Sequence, residues 1–283
     1  MHSGLRLGLI AAFGLGLAAC SATKLVYNKL DWFASWQLGK YVELRGTSEA
    51  LFESGFASLW QWHRATQLSL YAKDLRELAD AATTPLSPVQ ARDFLQRANG
   101  HAERMLIEAL PAAAKVIQAM DDEQIAGLLE RMAENRAERI EEHAELNAEE
   151  RRERTAKNLL KNLKRWLGSA SPEQKQRAQD WIAARPDHSA LWQRYDEQWA
   201  AAFVELLAVR SEPDFPARLR GLLLEAKLPD SSAVREAQLR DNEAGTGLMS
   251  ELSGMLSPEQ RAHFQQELRD LGEDLEALRT KTS

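Results

Sequence analysis

The chain has 283 residues, of which 28% are charged, with a net charge of −6 and a single cysteine. A protein without a basic surplus offers no electrostatic attraction to nucleic acid, and one cysteine excludes an intramolecular disulfide bond. The length suffices for one elongated helical domain or for two smaller domains.

The N-terminal stretch contains the most informative motif of the sequence. Arg6 precedes an apolar run over residues 7–17, and the run ends in Leu17-Ala18-Ala19-Cys20. An apolar run of this length is typical of a secretion signal and is shorter than the ~20 residues that span a bilayer. The stretch predicts a lipoprotein signal peptide over residues 1–19, with lipid attached to Cys20. The alternatives are an ordinary signal peptide with a coincidental cysteine, or an uncleaved anchor.

The residue after the cysteine bears on localisation. Ser21 stands where an aspartate favours retention in the inner membrane of a Gram-negative cell. We therefore expect the outer membrane, with residues 20–283 forming an all-helical body that faces the periplasm. Mature bacterial lipoproteins usually carry three acyl chains, and two or more chains hold a protein firmly to a membrane.

Two amphipathic helices are predicted after the anchor, separated by Gly46. The first covers residues 24–44, and the second runs from about Ser48 to Leu78, with apolar residues at helical spacing in both. Aromatic side chains of the first helix, such as Trp36, either pack in the core or touch lipid headgroups.

The second helix contains the candidate binding residues Trp62, His63 and Arg64, with Tyr71 two turns further along. A histidine among aromatic rings serves as a pH-sensitive contact or as part of an aromatic binding surface. The alternative is a packed, hydrogen-bonded core histidine with Arg64 reaching solvent. No second histidine or cysteine lies at ligand spacing, so the group predicts no metal site.

A short phrase repeats along the chain and marks helix starts. It combines a serine or aspartate N-cap with a glutamine three residues later, in three copies with proline at the first helical position. Those copies begin at Leu86, Ala170 and Leu256, and looser copies begin at Met120 and Leu146. Each copy predicts a capping box, and a helix cap contributes ~1 kcal/mol.

The remaining sequence predicts further helices and no strand. Pro111 interrupts the helix that starts after Ser87, and the longest periodic stretch runs from Asp122 to Leu167. Its middle, Glu134–Arg154, is rich in Glu and Arg and predicts a solvated helix or a polar cradle. The expected fold class is all-α, an elongated bundle of about seven to nine helices.

No motif points to catalysis. No two of the histidines after the signal peptide lie three or four positions apart, so no helix presents a two-histidine metal face. The sequence has no glycine-rich phosphate loop, no serine elbow and no thiol beyond Cys20. We therefore expect a protein that is not an enzyme and that has no metal and no cofactor. A site assembled across distant helices is invisible to motif search and stays open.

The layout resembles a family of uncharacterised Gram-negative lipoproteins, a domain of unknown function. The resemblance covers nearly all of the chain after the signal peptide and implies no activity, cofactor or catalytic residue. The matching segments are Cys20, Lys24–Asn28, Tyr41–Leu44, Trp62–Arg64 with Tyr71, Trp166–Gly168 and Leu256–Arg261. The chain departs from the family at Leu68-Ser69-Leu70, where a Leu-Pro pair is usual before the tyrosine.

The repeated Leu-Ser-Pro-x-Gln phrase is also similar to the LTxxQ phrase of Spy/CpxP-type periplasmic chaperones, which cradle unfolded proteins without ATP. This chain is longer and has serine where those proteins prefer threonine. The similarity implies a concave helical surface that mixes charged and apolar residues.

Two functional hypotheses follow. The first is a membrane-anchored, non-catalytic protein-binding or chaperone-like component that holds unfolded or envelope proteins. The alternative is a structural or assembly subunit that docks an envelope membrane protein. A charged concave face around Arg136–Arg154 favours the first, and exposed aromatic residues on the helices from Val26 to Tyr71 favour the second.

Overall fold

The structure is a computed structural model that describes residues 36–280, and these residues contain helices and no β-strand. The all-α prediction is confirmed. The helices are α1 (Thr47–Trp62), α2 (Leu68–Ala81), α3 (Pro88–Ala119), α4 (Asp122–Glu145), α5 (Ala148–Leu167), α6 (Pro172–Ala184), α7 (Ser189–Ala208), α8 (Phe215–Glu225), α9 (Ser231–Gly254) and α10 (Pro258–Thr280). The predicted signal peptide and Cys20 lie outside the described residues.

Ten α-helices lie between Thr47 and Thr280, in line with the multi-helix bundle of about seven to nine helices that was expected, and two of the predicted helices are divided. A π-helical segment, His63–Gln67, separates α1 from α2 within the helix predicted from Ser48 to Leu78. Asn147 caps the start of α5 inside the stretch predicted from Asp122 to Leu167. The loose capping phrase at Leu146 had indicated this second division.

The predicted helix over residues 24–44 is wrong in its described C-terminal part. Helical structure ends at Gly39, and residues 42–45 have no regular structure. The chain turns there because Val42 is buried in the core, 5% exposed, and because the Glu43 carbonyl accepts a hydrogen bond from the Gln124 side chain. Both contacts need an irregular backbone before α1.

The predicted interruption at Pro111 is also wrong, since α3 continues through this residue. A proline inside a helix removes one hydrogen bond and costs ~3 kcal/mol. Here Leu110 and Ala114 are buried on either side of an exposed Pro111, so core packing offsets that cost.

The predicted capping boxes are confirmed. In every copy the side chain of the third residue after the N-cap accepts a hydrogen bond from the backbone N–H of the N-cap residue. The N-cap side chain in turn accepts a hydrogen bond from the backbone N–H of that third residue. The closed pairs are Ser87 with Gln90, Asp121 with Gln124, Asn147 with Glu150, Ser171 with Gln174 and Ser257 with Gln260.

The chain forms two compact units. Among the described residues, unit 1 comprises 36–67, 100–139 and 189–235, and its core combines α3, α4, α7 and α8. Trp199 stacks on Phe203 with 5.0 Å between ring centroids, and Phe215 is fully buried. Gly55 of α1 lies so close to Ala112 of α3 that an added Cβ would stand 2.8 Å from the alanine Cβ.

Unit 2 comprises residues 68–99, 140–188 and 236–280 among those described. Helices α2 and α10 pack along each other, with Leu68 and Leu278 fully buried. The Gln174 and Gln260 amides pair with each other at 2.9 and 3.0 Å, which joins the N-termini of α6 and α10. None of the helices in residues 36–280 has the length and apolar character needed to cross a bilayer.

Candidate functional site

The lipidation residue predicted from the sequence, Cys20, lies outside the described residues. The predicted binding residues Trp62, His63 and Arg64 lie in unit 1, at the junction of α1 and the π-helical segment, whereas Tyr71 belongs to unit 2. His63 and Tyr71 are buried, 4% and 5% exposed, and Trp62 and Arg64 are half-buried. The two buried rings are therefore not available as surface contacts.

His63 packs as a neutral ring. Its imidazole stacks on Trp60 with 5.0 Å between ring centroids and 11° between ring planes. Burial, with the Arg64 cation as a second cause, lowers the pKa of His63 from its usual 6.5 to about 4. This is the packed core histidine that stood as the alternative to a pH-sensitive surface contact. π-Helical turns are frequent at functional sites, and here the turn buries both His63 and Gln67.

A row of aromatic rings continues from His63 along α1. Phe52, Phe56 and Trp60 follow at intervals of four residues, and each neighbouring pair has 5.9 Å between ring centroids. All three side chains are half-buried. Residues four apart lie on the same side of a helix, so the rings form one aromatic surface along α1.

A groove in unit 1 brings apolar and charged side chains together. It lies between α4 and α7, has a volume of about 250 Å³, and is also lined by Tyr41. Its apolar lining includes buried Trp199, half-buried Met132 and Val204, which is 47% exposed. We call it the unit 1 groove.

Charged side chains of both helices line the unit 1 groove. Arg139 of α4 donates a hydrogen bond to Asp196 of α7 at 3.1 Å and joins the two walls. Arg136 is half-buried and makes no hydrogen bond or ion pair with any residue in the range 36–280. A half-buried arginine without a partner, beside apolar side chains, is available to donate hydrogen bonds to a carboxylate of a ligand.

The volume of the groove limits what it accommodates. An apolar cavity of roughly 150 Å³ holds a benzene ring, and small-molecule sites usually enclose about 300–1,000 Å³. The unit 1 groove, at about 250 Å³, fits one or two apolar side chains of a protein partner better than a whole cofactor. Within the described part of the chain, no group of three or more His, Cys, Asp or Glu residues is arranged to hold a metal ion.

Sequence reasoning missed the unit 1 groove and found only part of its composition. The Glu- and Arg-rich run from Glu134 was expected to be a solvated helix or a polar cradle. The structure places Arg136 and Arg139 in the groove, while most side chains of the run are exposed. The sequence analysis assigned no role to the apolar lining residues, because helical periodicity gives the face of a residue but not where that face leaves the core.

Residues 36–280 thus define an all-α protein with two compact helical units and a mixed apolar and charged groove in unit 1. The chain belongs to the family of unknown function DUF6279, whose model matches residues 40–231. Tyr41–Leu44, Trp62–Arg64 and Trp166–Gly168 lie inside the match, whereas Cys20 and Leu256–Arg261 lie outside it. No curated protein and no solved structure matches the chain.

Proposed function

We propose that this protein is a lipid-anchored, non-catalytic binding component of the bacterial envelope that holds apolar segments of unfolded or envelope proteins. The lipobox at Cys20 supports the anchor, and Ser21 supports placement at the outer membrane, facing the periplasm. The proposal assigns no catalytic residue, metal or cofactor. The repeated capping phrase of the chain is similar to the LTxxQ phrase of Spy/CpxP-type chaperones, and this similarity supports a holding role.

The unit 1 groove is the observation that carries this proposal. Helix pairs that bind partner segments present an apolar groove with charged rims, and the anchors are a few large side chains. Met132 and Val204 supply apolar contact, and Arg136 supplies a cation without a partner in the described residues. The groove therefore suits a segment with an apolar anchor next to an acidic side chain.

The test is light scattering of an aggregating, unrelated client protein with and without the chain from Ser21 onward. Suppression of aggregation is expected at a near-equal molar ratio. Val204→Glu replaces an apolar contact of the groove by a carboxylate that competes with the client's acidic side chain for Arg136, and it should weaken suppression about tenfold. Val89→Glu is the matched control, since Val89 is 70% exposed and lies in unit 2.

Failure of the unaltered protein to suppress aggregation would contradict the holding function. Equal weakening by the Val89 and Val204 variants would contradict the assignment to the unit 1 groove. Helix content measured by circular dichroism confirms that each variant is folded.

A structural or assembly role is the second candidate, and the aromatic row of α1 favours it. Phe52, Phe56 and Trp60 are half-buried and stacked, which is the composition of interface anchors. Crosslinking in intact cells distinguishes the two functions. A dedicated membrane protein crosslinked in constant amount supports docking, and a broad set of clients supports holding.

A further inference from the structure

One side of α5 has a row of cations without partners. Arg154, Lys157, Lys161 and Lys164 are exposed, and none forms a hydrogen bond or ion pair with another residue of the described range. Residues at these intervals of three and four lie on one side of a helix and cover about 15 Å along its axis. We call these four residues the basic stripe.

The basic stripe points away from the packing of unit 2. Three apolar side chains of α5 are half-buried, those of Leu159, Leu160 and Leu163. The ring of Trp166 packs edge-to-face against the ring of Phe264, with 6.2 Å between the ring centroids. Helix α5 is in contact with α6 and α10. The helix therefore has an apolar side within unit 2 and a cationic side in solvent.

Helix stability explains only part of the basic stripe. Glu150 and Glu153 stand four residues before Arg154 and Lys157, a spacing at which opposite charges stabilise a helix, whereas Lys161 and Lys164 have no acidic residue three or four positions away. Lys157 and Lys161 lie four residues apart, and like charges at that spacing destabilise a helix by about 0.2–0.5 kcal/mol. The helix dipole favours Lys164 in the last turn, but Arg154 lies ~20 Å before Leu167, and this effect fades within one turn. The acidic residues of α5 lie only in its first two turns.

The surrounding surface of unit 2 is arranged differently. Arg97 pairs with Asp74 at 3.2 Å, and Arg185 pairs with Asp241 at 3.0 Å. Surface cations in this acidic chain are thus commonly matched by a carboxylate. Four consecutive cations without a match, on a chain of net charge −6, concentrate positive potential on one helix.

We propose that the basic stripe binds the anionic headgroups of a lipid bilayer. Four cations in a line on the open side of a helix fit a flat layer of phosphates better than a single enclosed anion. The acidic remainder of the chain is repelled by an anionic bilayer, so attraction confined to α5 also sets the orientation of unit 2 on the membrane. The proposal is independent of client binding in the unit 1 groove.

Vesicle sedimentation tests this binding with the chain from Ser21 onward, which contains every described residue. Vesicles of phosphatidylcholine are compared with vesicles that also contain phosphatidylglycerol. Each cation near an anionic surface strengthens binding roughly fivefold, so Lys157→Gln combined with Lys161→Gln should weaken binding to the anionic vesicles about 25-fold. Raised salt should weaken the binding of the unaltered protein in the same direction.

The matched control is Lys115→Gln combined with Lys227→Gln, which removes the same charge from exposed positions of unit 1. This control should retain binding within about twofold. Equal binding of the unaltered protein to both vesicle types, or equal weakening by both double variants, would overturn the proposal. Stripe-dependent binding to heparin without stripe-dependent binding to vesicles would also overturn it.

Discussion

At the residue scale, the surroundings of His63 set its charge. The imidazole is 4% exposed and stacks on the Trp60 ring, so burial removes hydration that the protonated form needs. Arg64 adds repulsion, and the pKa falls from 6.5 to about 4. The side chain is therefore neutral at physiological pH and acts as an aromatic core residue.

The depressed pKa of His63 predicts acid-dependent stability. Between pH 6.5 and 4 the unfolded chain binds a proton at this histidine and the folded chain does not, so protons favour unfolding. The contribution of His63 is fully present above pH 6.5, and about 3 kcal/mol is lost by pH 4, at 1.36 kcal/mol per pKa unit. His63→Phe keeps the ring and removes the titration, so denaturant unfolding of this variant should lose less stability over that range.

His143→Gln is the control for this measurement, because His143 is exposed. Its stability should follow the unaltered protein from pH 6.5 to 4. An acid slope that is the same in the His63→Phe variant and the unaltered protein would contradict the buried neutral histidine.

At the element scale, the repeated capping phrase has a second use beyond starting helices. The Oε1 atoms of Gln174 and Gln260 accept from their own cap N–H groups, while the two amides also pair with each other. The Gln174 Nε2 further donates to the Met255 carbonyl at 3.1 Å, and the Gln260 Nε2 donates to the Ser169 carbonyl at 3.0 Å. Both glutamines are buried with their hydrogen bonds satisfied.

Unit 1 uses the same device with a different partner. Gln124 closes the cap of α4 and donates to the fully buried Ser48 hydroxyl at 2.9 Å and to the Glu43 carbonyl at 3.2 Å. In each unit a capping glutamine therefore joins the start of its own helix to the segment that begins another helix. A local sequence signal is converted into a tertiary contact.

This contact predicts that buried capping glutamines matter more than exposed ones. Gln174→Ala removes a cap contribution of ~1 kcal/mol and leaves buried polar groups without partners at a further cost of ~1–3 kcal/mol. Gln90→Ala removes the same capping interaction at an exposed position and should cost only ~1 kcal/mol. Denaturant unfolding measures both changes.

A double-mutant cycle isolates the pair. Gln174→Ala and Gln260→Ala should show a coupling free energy of about 0.5–3 kcal/mol, because each amide is the partner of the other. Additive effects, or equal costs for Gln90→Ala and Gln174→Ala, would show that the pair adds nothing to the separate caps.

At the scale of the whole molecule, attachment to the membrane depends on one residue in our proposal. Cys20→Ser removes the thiol that accepts lipid and should leave unprocessed precursor without fatty acid label. Ser21→Ala changes the next residue and should preserve labelling, as the matched control. Labelling of the Cys20→Ser protein would contradict lipidation at this position.

Much of the helical organisation could be predicted from the sequence because it depends on local interactions. Helix starts at Ser171 and Ser257 follow from hydrogen bonds within four residues, and apolar spacing defines the inward face of each helix. The predictions failed where packing outweighs local preference. The helix continues through Pro111 because its neighbours are buried, and the predicted helix stops before Val42 because that residue enters the core.

The candidate sites divide in the same way. The sequence by itself determined the all-α class and the capping boxes, since each depends on residues close together in the chain, and the anchor at Cys20 stays a prediction of the same local kind. Only the tertiary structure decided that His63 is a core residue, that Arg136 and Val204 line one groove, and that two distant glutamines pair. Those outcomes depend on which helix faces meet, and residues far apart in sequence set that choice through burial and hydrogen bonding.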